Sequence, residues 1–529
     1  MEDRDKKGGN FSPQGLPLLS YPSRNRAIIT AGVMLGLFLS ALESTAVTTA
    51  MPTVIASLGG LSIYSWVFSA YLLTSTITLP LWGKLSDQYG RRSIYLLGVS
   101  IFLLGSALSG LSHSMVQLIL FRLIQGLGAG CLLPLAMTIV GEIYTLDERG
   151  KMQGLLSGVW GLSSLIGPFI GGLLTDHLSW RWVFYLNIPF GLLSALVIGV
   201  YLKPRQEEGK KVLFDHAGGA SLALALTLFL LILMRLGKGD SLFSPLILFM
   251  LFGFLFLMVL FFYNESRVSD PVLPLQLFTQ RVFASASLNG FLGGMAMFGS
   301  IAFIPLFVQA VLDTSATKAG SVLTPFVLTW MVFSILGGHL LLRLGIRLLV
   351  FIGMASLTLG FFLLSRMSLH TAITEVMRNM VFLGAGMGFS VAPLTIAVQN
   401  TVPRSQLGIA TSMTQFFRTI GGTLGVTLLG TILSRNLWAQ FQQSGVDSGF
   451  FTGLNSSSAS QLIVSSPAQQ TLSPETFHFL KSALFHSLHA VFVAGLWLAL
   501  LAFASTLLLP RENVRKLTSG SDANFTSDG

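Results

Sequence analysis

The sequence predicts an all-α integral membrane protein: two six-helix bundles with two further helices inserted between them. Three observations carry this. The chain of 529 residues is 52 % hydrophobic, holds 41 Phe and is only 10 % charged, with a mean hydropathy of +0.72. A soluble chain carries about 25 % charged residues, so this apolar surface needs lipid as its solvent. Fourteen apolar runs approach the ~20 residues that cross a bilayer core. An internal repeat, offset by about half the chain, joins the first runs to the later ones.

The runs lie at 27–51, 66–82, 94–112, 116–140, 152–174 and 183–202, then 217–235 and 244–263, then 283–311, 319–342, 347–366, 373–397, 407–433 and 487–509. Each is expected to be helical, because lipid offers no partner for unpaired backbone groups. The second is short and contains Pro80, which leaves its end open. The repeat divides them. Arg122-x5-Gly128-Ala129-Gly130 recurs as Arg378-x5-Gly384-Ala385-Gly386, shifted by 256. Gly83 and Gly90 recur as Gly338 and Gly345, and Gly167-x3-Gly171 as Gly421-x3-Gly425, at shifts of 255 and 254. Duplicated halves meeting at a midplane site are the architecture of secondary transporters. The expected organisation is a cytoplasmic tail over 1–26, a six-helix bundle over 27–202, and a linker with two inserted helices over 203–282. A second six-helix bundle follows over 283–509, with a long outer loop at 434–486, and then a cytoplasmic tail over 510–529. A surface helix is expected near 475–486 within that loop, and the glycosylation patterns at Asn455 and Asn524 read as chance matches.

Charge sets the orientation. With the N-terminus inside, 22 of the 32 Lys and Arg fall on the inner side, seven outside or at the outer rim, and Arg122, Arg378 and Arg418 within helices. Such asymmetry predicts N-in, C-in and a multi-pass cell-membrane protein. The net charge of +10 is scattered between apolar runs rather than gathered in a patch, which argues against nucleic acid as a partner. Cys131 is the single cysteine, so an internal disulfide is excluded, and neither it nor the eight His suggest a metal site. No cleavable signal peptide is expected, because the first 26 residues are polar and a dozen further apolar runs follow the first.

Several motifs resemble the major facilitator superfamily. Gly83-Lys84-Leu85-Ser86-Asp87-Gln88-Tyr89-Gly90-Arg91-Arg92, read as a loop between helices 2 and 3, is similar to that superfamily's signature loop. Leu118-x3-Arg122-x2-Gln125-Gly126-x-Gly128-Ala129-Gly130 resembles its second motif, and Gly158-x8-Gly167-Pro168-x2-Gly171-Gly172 the motif typical of its antiporters. Leu42-Glu43 through Ala50-Met51-Pro52, and Trp180 through Pro189, resemble the fourteen-helix drug:proton antiporter branch, with Glu43 where the branch usually has Asp and Met51 where it has Leu. The resemblance covers nearly the whole chain. It implies the major facilitator fold, export of drugs against protons, and a signature loop that stabilises the outward-open state.

The residues themselves support specific roles. Glu43 is the only acid deep within an expected span, where a charged carboxylate is expensive unless it binds a proton or a cation. Glu43 lies about eight residues, ~12 Å, from the outer end of its helix, and Arg122 about six residues, ~9 Å, from the outer end of helix 4. The two are therefore expected to meet, Arg122 holding Glu43 ionised in one state and releasing it to a proton in the other. The segment Gly83–Arg92 reads as a gate latch. Asp87 is expected to bond Arg91 or the N-terminus of a helix in the other half, and Glu142 to pair with Arg91 or Arg92. Gly154, Gly158, Gly161, Gly167 and Gly171, with Pro168 and Gly172, are expected to form a close-packed hinge in helix 5.

Helix 13 carries Thr411, Gln415, Arg418, Gly422 and Gly425 on one face. An Arg near mid-span faces protein or water, where Arg418 would attract an anionic group or balance Glu43 across the cavity. Gln125, Trp160, Gln415 and Arg418 are the expected cavity residues, with Trp66, Tyr71 and Trp330 as further apolar lining. Arg378 is expected to pair locally with Glu375. The function expected is proton-coupled export of lipophilic, cationic drugs or toxic compounds by alternating access, needing no cofactor beyond a proton gradient. A same-fold carrier of a narrower cargo, such as a lipid, siderophore or amino acid, by symport or antiport, is the alternative. Duplicated halves argue against a channel, and no clustered acid–base or metal site suggests an enzyme. The expected partners are the lipid bilayer, protons and a small-molecule substrate, with accessory export proteins left open.

Overall fold

The computed structural model describes residues 21–59, 66–204, 215–237, 240–268, 271, 273, 275–314, 316–443 and 474–511. The first half contains α1 (Ser23–Leu58), α2 (Trp66–Tyr89), α3 (Arg91–Gly110), α4 (Met115–Ile143), α5 (Leu146–His177) and α6 (Trp182–Tyr201, interrupted at Leu186). A hairpin follows, α7 (His216–Gly237) and α8 (Pro245–Glu265). The second half contains α9 (Arg281–Val311), α10 (Thr324–Leu344), α11 (Ile346–Leu364), α12 (Ile373–Thr401), α13 (Leu407–Gln443) and α14 (Pro474–Ser505). Among the described residues, eleven helices are long and apolar enough to cross a membrane. The other three long ones are α2, α5 and α7; α2 and α5 carry the polar latch and glycine motifs, and the apolar stretch of α7 is short. The chain is thus a multi-pass membrane protein.

Packing repeats between halves. In the first, α1 packs on α5 and α6, α4 on α2 and α3, and α3 on α6. In the second, α9 packs on α13 and α14, α12 on α10 and α11, and α11 on α14. The halves meet along α2 against α13 and α5 against α10, equivalent crossings by the same repeat. Both depend on glycine. A Cβ on Gly83 would come 2.8 Å from the Gly408 carbonyl oxygen, and one on Gly338 would come 1.9 Å from the Gly150 Cα. Small residues let helix backbones approach closely where lipid supplies no hydrophobic drive. The α7–α8 hairpin stands outside both bundles, with α7 leaning on α2 and α13. α8 turns Phe249, Phe252 and Val259 outward, as expected of a lipid-facing helix.

Several sequence expectations need correction. The segment Gly83–Arg92 is not a loop. α2 runs through Pro80 to Tyr89, a single residue intervenes, and α3 starts at Arg91. That residue is Gly90, at φ 84°, and its repeat counterpart Gly345 makes the same break at φ 75°. Left-handed backbone is cheap only for glycine, so a one-residue reversal replaces the expected loop. The surface helix near 475–486 and the last span are one continuous helix, α14, because nothing after Pro474 breaks it. α13 also extends to Gln443, into the expected outer loop. The remainder of that loop, Asn455 and Asn524 lie outside the described residues.

Candidate functional site

Glu43 sits within the first bundle, fully buried, opposite an Arg122 that is 1 % exposed. Arg122 Nη1 donates to Glu43 Oε1 at 2.6 Å and to Gln125 Oε1 at 2.8 Å. Its Nε donates to the Val67 carbonyl at 3.2 Å, and its guanidinium lies 4.1 Å from the Tyr71 ring centroid. Asn187 Nδ2 donates to Glu43 Oε2 and, at 2.9 Å, to Ser106 Oγ. Five helices, α1, α2, α3, α4 and α6, thus converge on one carboxylate. Glycines make the convergence feasible: a Cβ on Gly126 would strike Thr74 and the Tyr71 carbonyl, and one on Gly105 the Gln125 backbone. A buried ion pair is tolerated when its remaining donors and acceptors are also satisfied. This arrangement can hold a carboxylate ionised, or exchange its arginine for a proton.

Depth arithmetic anticipated the meeting of Glu43 and Arg122, and the structure brings them together. Asn187, Ser106 and the Val67 carbonyl were missed. The signal available was an amide at the start of an otherwise apolar run, Ile188 to Val200, since a buried polar side chain needs a partner. Gln125 and Tyr71, expected to line a cavity, both lie in this cluster against Arg122.

A second constellation lies where the halves touch. Asp87 Oδ1 and Oδ2 accept from the backbone N–H groups of Gly408 and Ile409, at 2.8 and 2.7 Å. These are orphan donors at the start of α13 in the other half, where a helix favours an anion. Arg91 Nη2 stands 2.5 Å from Asp87 and 2.9 Å from Glu142, and its Nη1 donates to Ser86 at 2.8 Å. Both expected partners of Asp87 are therefore present, and Glu142 takes Arg91, not Arg92, for which no ion pair occurs among the described residues. Nearby, Gln399 Nε2 donates to the Met137 carbonyl at 3.2 Å and Arg149 Nη1 to Asn400 Oδ1 at 3.0 Å. These cross-half bonds had no sequence signal, because each needs the mutual rotation of two helices. On the same end, Arg26 meets Glu148 at 2.7 Å. Burial raises the Glu148 pKa, but the Thr145 N–H and hydroxyl with the Arg26 guanidinium outweigh it and hold the carboxyl below its usual range.

The helix 5 glycines divide between two neighbours. Gly154, Gly158 and Gly161 face Ile335, Met331 and Val327 of α10, whereas Gly167 and Gly171 face Thr45, Ala46 and Thr49 of α1. Gly172 faces open space, so the motif is not one packed stripe. α5 continues unbroken through Pro168.

The expected cavity set also divides. A cleft within the second half is lined by Asn289 and Gly293 of α9, Met354 of α11, Ser390 of α12, and Gln415 and Arg418 of α13. Its lining contains no acidic and no aromatic side chain. Trp160 packs instead into the core of the first half, and Trp330 stands edge-on to Phe326 at 5.4 Å between centroids. Arg418 lines this cleft of the second half, and Glu43 is paired with Arg122 in the first. Arg378 is exposed, and no ion pair joins it to Glu375 among the described residues. Groups of three metal-ligating side chains are likewise absent among the described residues.

Comparison with known proteins places this geometry in context. The family described as Major Facilitator Superfamily matches residues 33–426. Multidrug transporter protein MdtP of Bacillus subtilis (strain 168) is 38 % identical over 505 residues, 92 % of this chain and 93 % of its own. Multidrug resistance protein 3 of the same organism is 38 % identical over 404 residues, 76 % of this chain and 79 % of its own. The solved proton:xylose symporter XylE superposes with a TM-score of 0.60 at 14 % identity, over 94 % of this chain and 99 % of its own. At that identity the likeness is one of fold.

Proposed function

Starting from the fact that the chain belongs to the major facilitator superfamily and is a transporter of that superfamily, we propose that it exports lipophilic compounds in exchange for protons. The observation that carries this reading is the wholly enclosed Glu43 carboxylate, held by Arg122 and Asn187. Two relatives, one named as a multidrug transporter and one as a multidrug resistance protein, support a broad lipophilic cargo. The cationic charge expected of that cargo finds no acid in the cleft of the second half.

The orientation proposed from the Lys and Arg distribution puts both termini and the Asp87 end in the cytoplasm. This conformation is then sealed on the cytoplasmic side by Asp87 on α13 and by the Gly150–Gly338 crossing. Cargo leaves outward, Glu43 exchanges Arg122 for an external proton, and the halves rock to break the Asp87 latch. Gly154, Gly158 and Gly161 carry that motion against α10. One charge crossing 100 mV yields about 2.3 kcal/mol. A proton entering at ~150 mV therefore supports a roughly 300-fold gradient of a neutral solute.

The test is transport of lipophilic fluorescent dyes into proteoliposomes under an imposed pH gradient, with wild type against Glu43→Gln. The wild type should accumulate dye uphill. The variant should insert normally, bind dye and fail to accumulate it, because a neutral amide cannot carry the proton. Gradient-driven accumulation by Glu43→Gln removes that carboxylate from the coupling.

A further inference from the structure

We propose that the cleft among α9, α11, α12 and α13 binds the acidic group of an amphiphilic anion, seated on Arg418, with an adjacent N–H or O–H donor seated on Asn289. The inference rests on the export reading above and names the chemical class of its cargo. Arg418 lies in the apolar span Leu407–Leu437 and lines the cleft. Among the described residues it has no ion pair and no side-chain hydrogen bond, and the cleft lining holds no carboxylate. An unneutralised guanidinium at membrane depth is expensive, and the counter-charge has to come from what enters the cleft. Elsewhere in the molecule a buried arginine is neutralised by its own chain, as Arg122 is by Glu43 and Arg91 by Asp87.

Asn289 supplies an independent observation. It is fully buried and lines the same cleft. Its Nδ2 donates to the Ala502 carbonyl and to Ser505 Oγ, both at 3.0 Å. A carbonyl only accepts, so the amide orientation is determined and Oδ1 is the free atom. That Oδ1 has no donor, nor has the buried Oε1 of Gln415 beside it. A buried acceptor left unmatched is costly, and a ligand N–H or O–H relieves it. Gly290 and Gly293 leave room, and Met354 and Met387 offer adaptable apolar contact. The complementary ligand has an apolar body, one acid group and a donor close to that group. A simple lipophilic cation has the apolar body but brings no counter-charge for Arg418.

Charge movement follows from this class. Expelling a monovalent anion against one entering proton moves two elementary charges the same way, so transport should respond to membrane potential. Exchange of a monovalent cation for one proton moves none.

The experiment uses one fluorophore in three charge states: dansylglycine (anion with a sulfonamide N–H), its methyl ester (neutral) and dansylcadaverine (cation). Equilibrium binding to the purified full chain is measured without a gradient, and uptake into proteoliposomes with one. We expect wild type to bind dansylglycine about tenfold more tightly than the ester, with the cation weakest. Arg418→Gln should reduce dansylglycine to the level of the ester while leaving the ester unchanged, and Arg418→Lys should retain part of the preference. Uptake of dansylglycine should rise with an imposed potential. Stronger binding of dansylcadaverine than of dansylglycine by wild type overturns the proposal, as does an unchanged preference in Arg418→Gln. Should Arg418→Gln fail to fold, the wild-type order of affinities decides. Failure of the export reading is distinguishable: no probe would then accumulate uphill, whatever the order of binding.

Discussion

Arg122 and Arg378 occupy equivalent places in the two halves, 256 residues apart, each opening the same glycine-rich helix motif. One is enclosed by five helices and paired with Glu43, while the other lies exposed near the start of α12. The latch shows the same divergence. Gly83 and Gly338 both sit at close crossings, and Gly90 and Gly345 both make left-handed breaks. Only the first copy has an acid, Asp87, aimed at a helix start in the other half; its counterpart position is Leu342. The repeat therefore preserves the backbone scaffold and lets the ionisable groups drift. The buried Glu43–Arg122 pair and the Asp87 carboxylate belong to the first half, and the second keeps a cleft lined by Arg418 and no acid.

The strongest way to break this comparison is to remove the two arginines separately. Arg122→Ala leaves a buried carboxylate unpaired and should cost about 3–5 kcal/mol, whereas Arg378→Ala should stay within about 0.5 kcal/mol. Thermal unfolding of the two purified variants measures the contrast, and similar losses would refute it. Next in size are the glycines. A Cβ at Gly338 meets the Gly150 backbone, while one at Gly172 meets nothing. Gly338→Ala should therefore destabilise the sealed Asp87 end by about 1–3 kcal/mol, and Gly172→Ala should be nearly silent. Accessibility of a cysteine placed at that end reports the difference. Smallest in stability, though not in rate, is the latch. Asp87→Asn weakens the bond to Arg91 and the two N–H contacts of α13 without leaving a cavity. It should slow turnover about tenfold while changing dye affinity less than twofold. Unchanged turnover would show that Asp87 serves only packing.

Some of the site was legible in the amino-acid sequence. Glu43 and Arg122 could be paired because rise per residue converts position into depth, and both lie in the same depth range. Asp87 could be matched to a helix N-terminus because a carboxylate and orphan N–H groups attract wherever they meet. Asn187 was invisible as a partner, because it belongs to a helix whose rotation about its axis the apolar pattern does not specify. That Gln125 would bond Arg122 was hidden for the same reason: a polar face indicates a protein neighbour, not which one. Arg378 was expected to pair with Glu375, three residues earlier, but at an exposed helix start water competes and no pair forms.

By itself, the sequence established a lipid-embedded helical chain, its duplication and the residues rich enough in chemistry to matter. Those are properties of composition and spacing, which the bilayer reads one helix at a time. Tertiary structure decided that Asn187 completes the Glu43 cluster, that Asp87 reaches Gly408 and Ile409, and that Arg418 faces a cleft without an acid. Each of those outcomes depends on how two helices are rotated and how closely they approach. Where lipid is as apolar as the side chains, that is set by glycine contacts and by the need to satisfy every buried polar group at once.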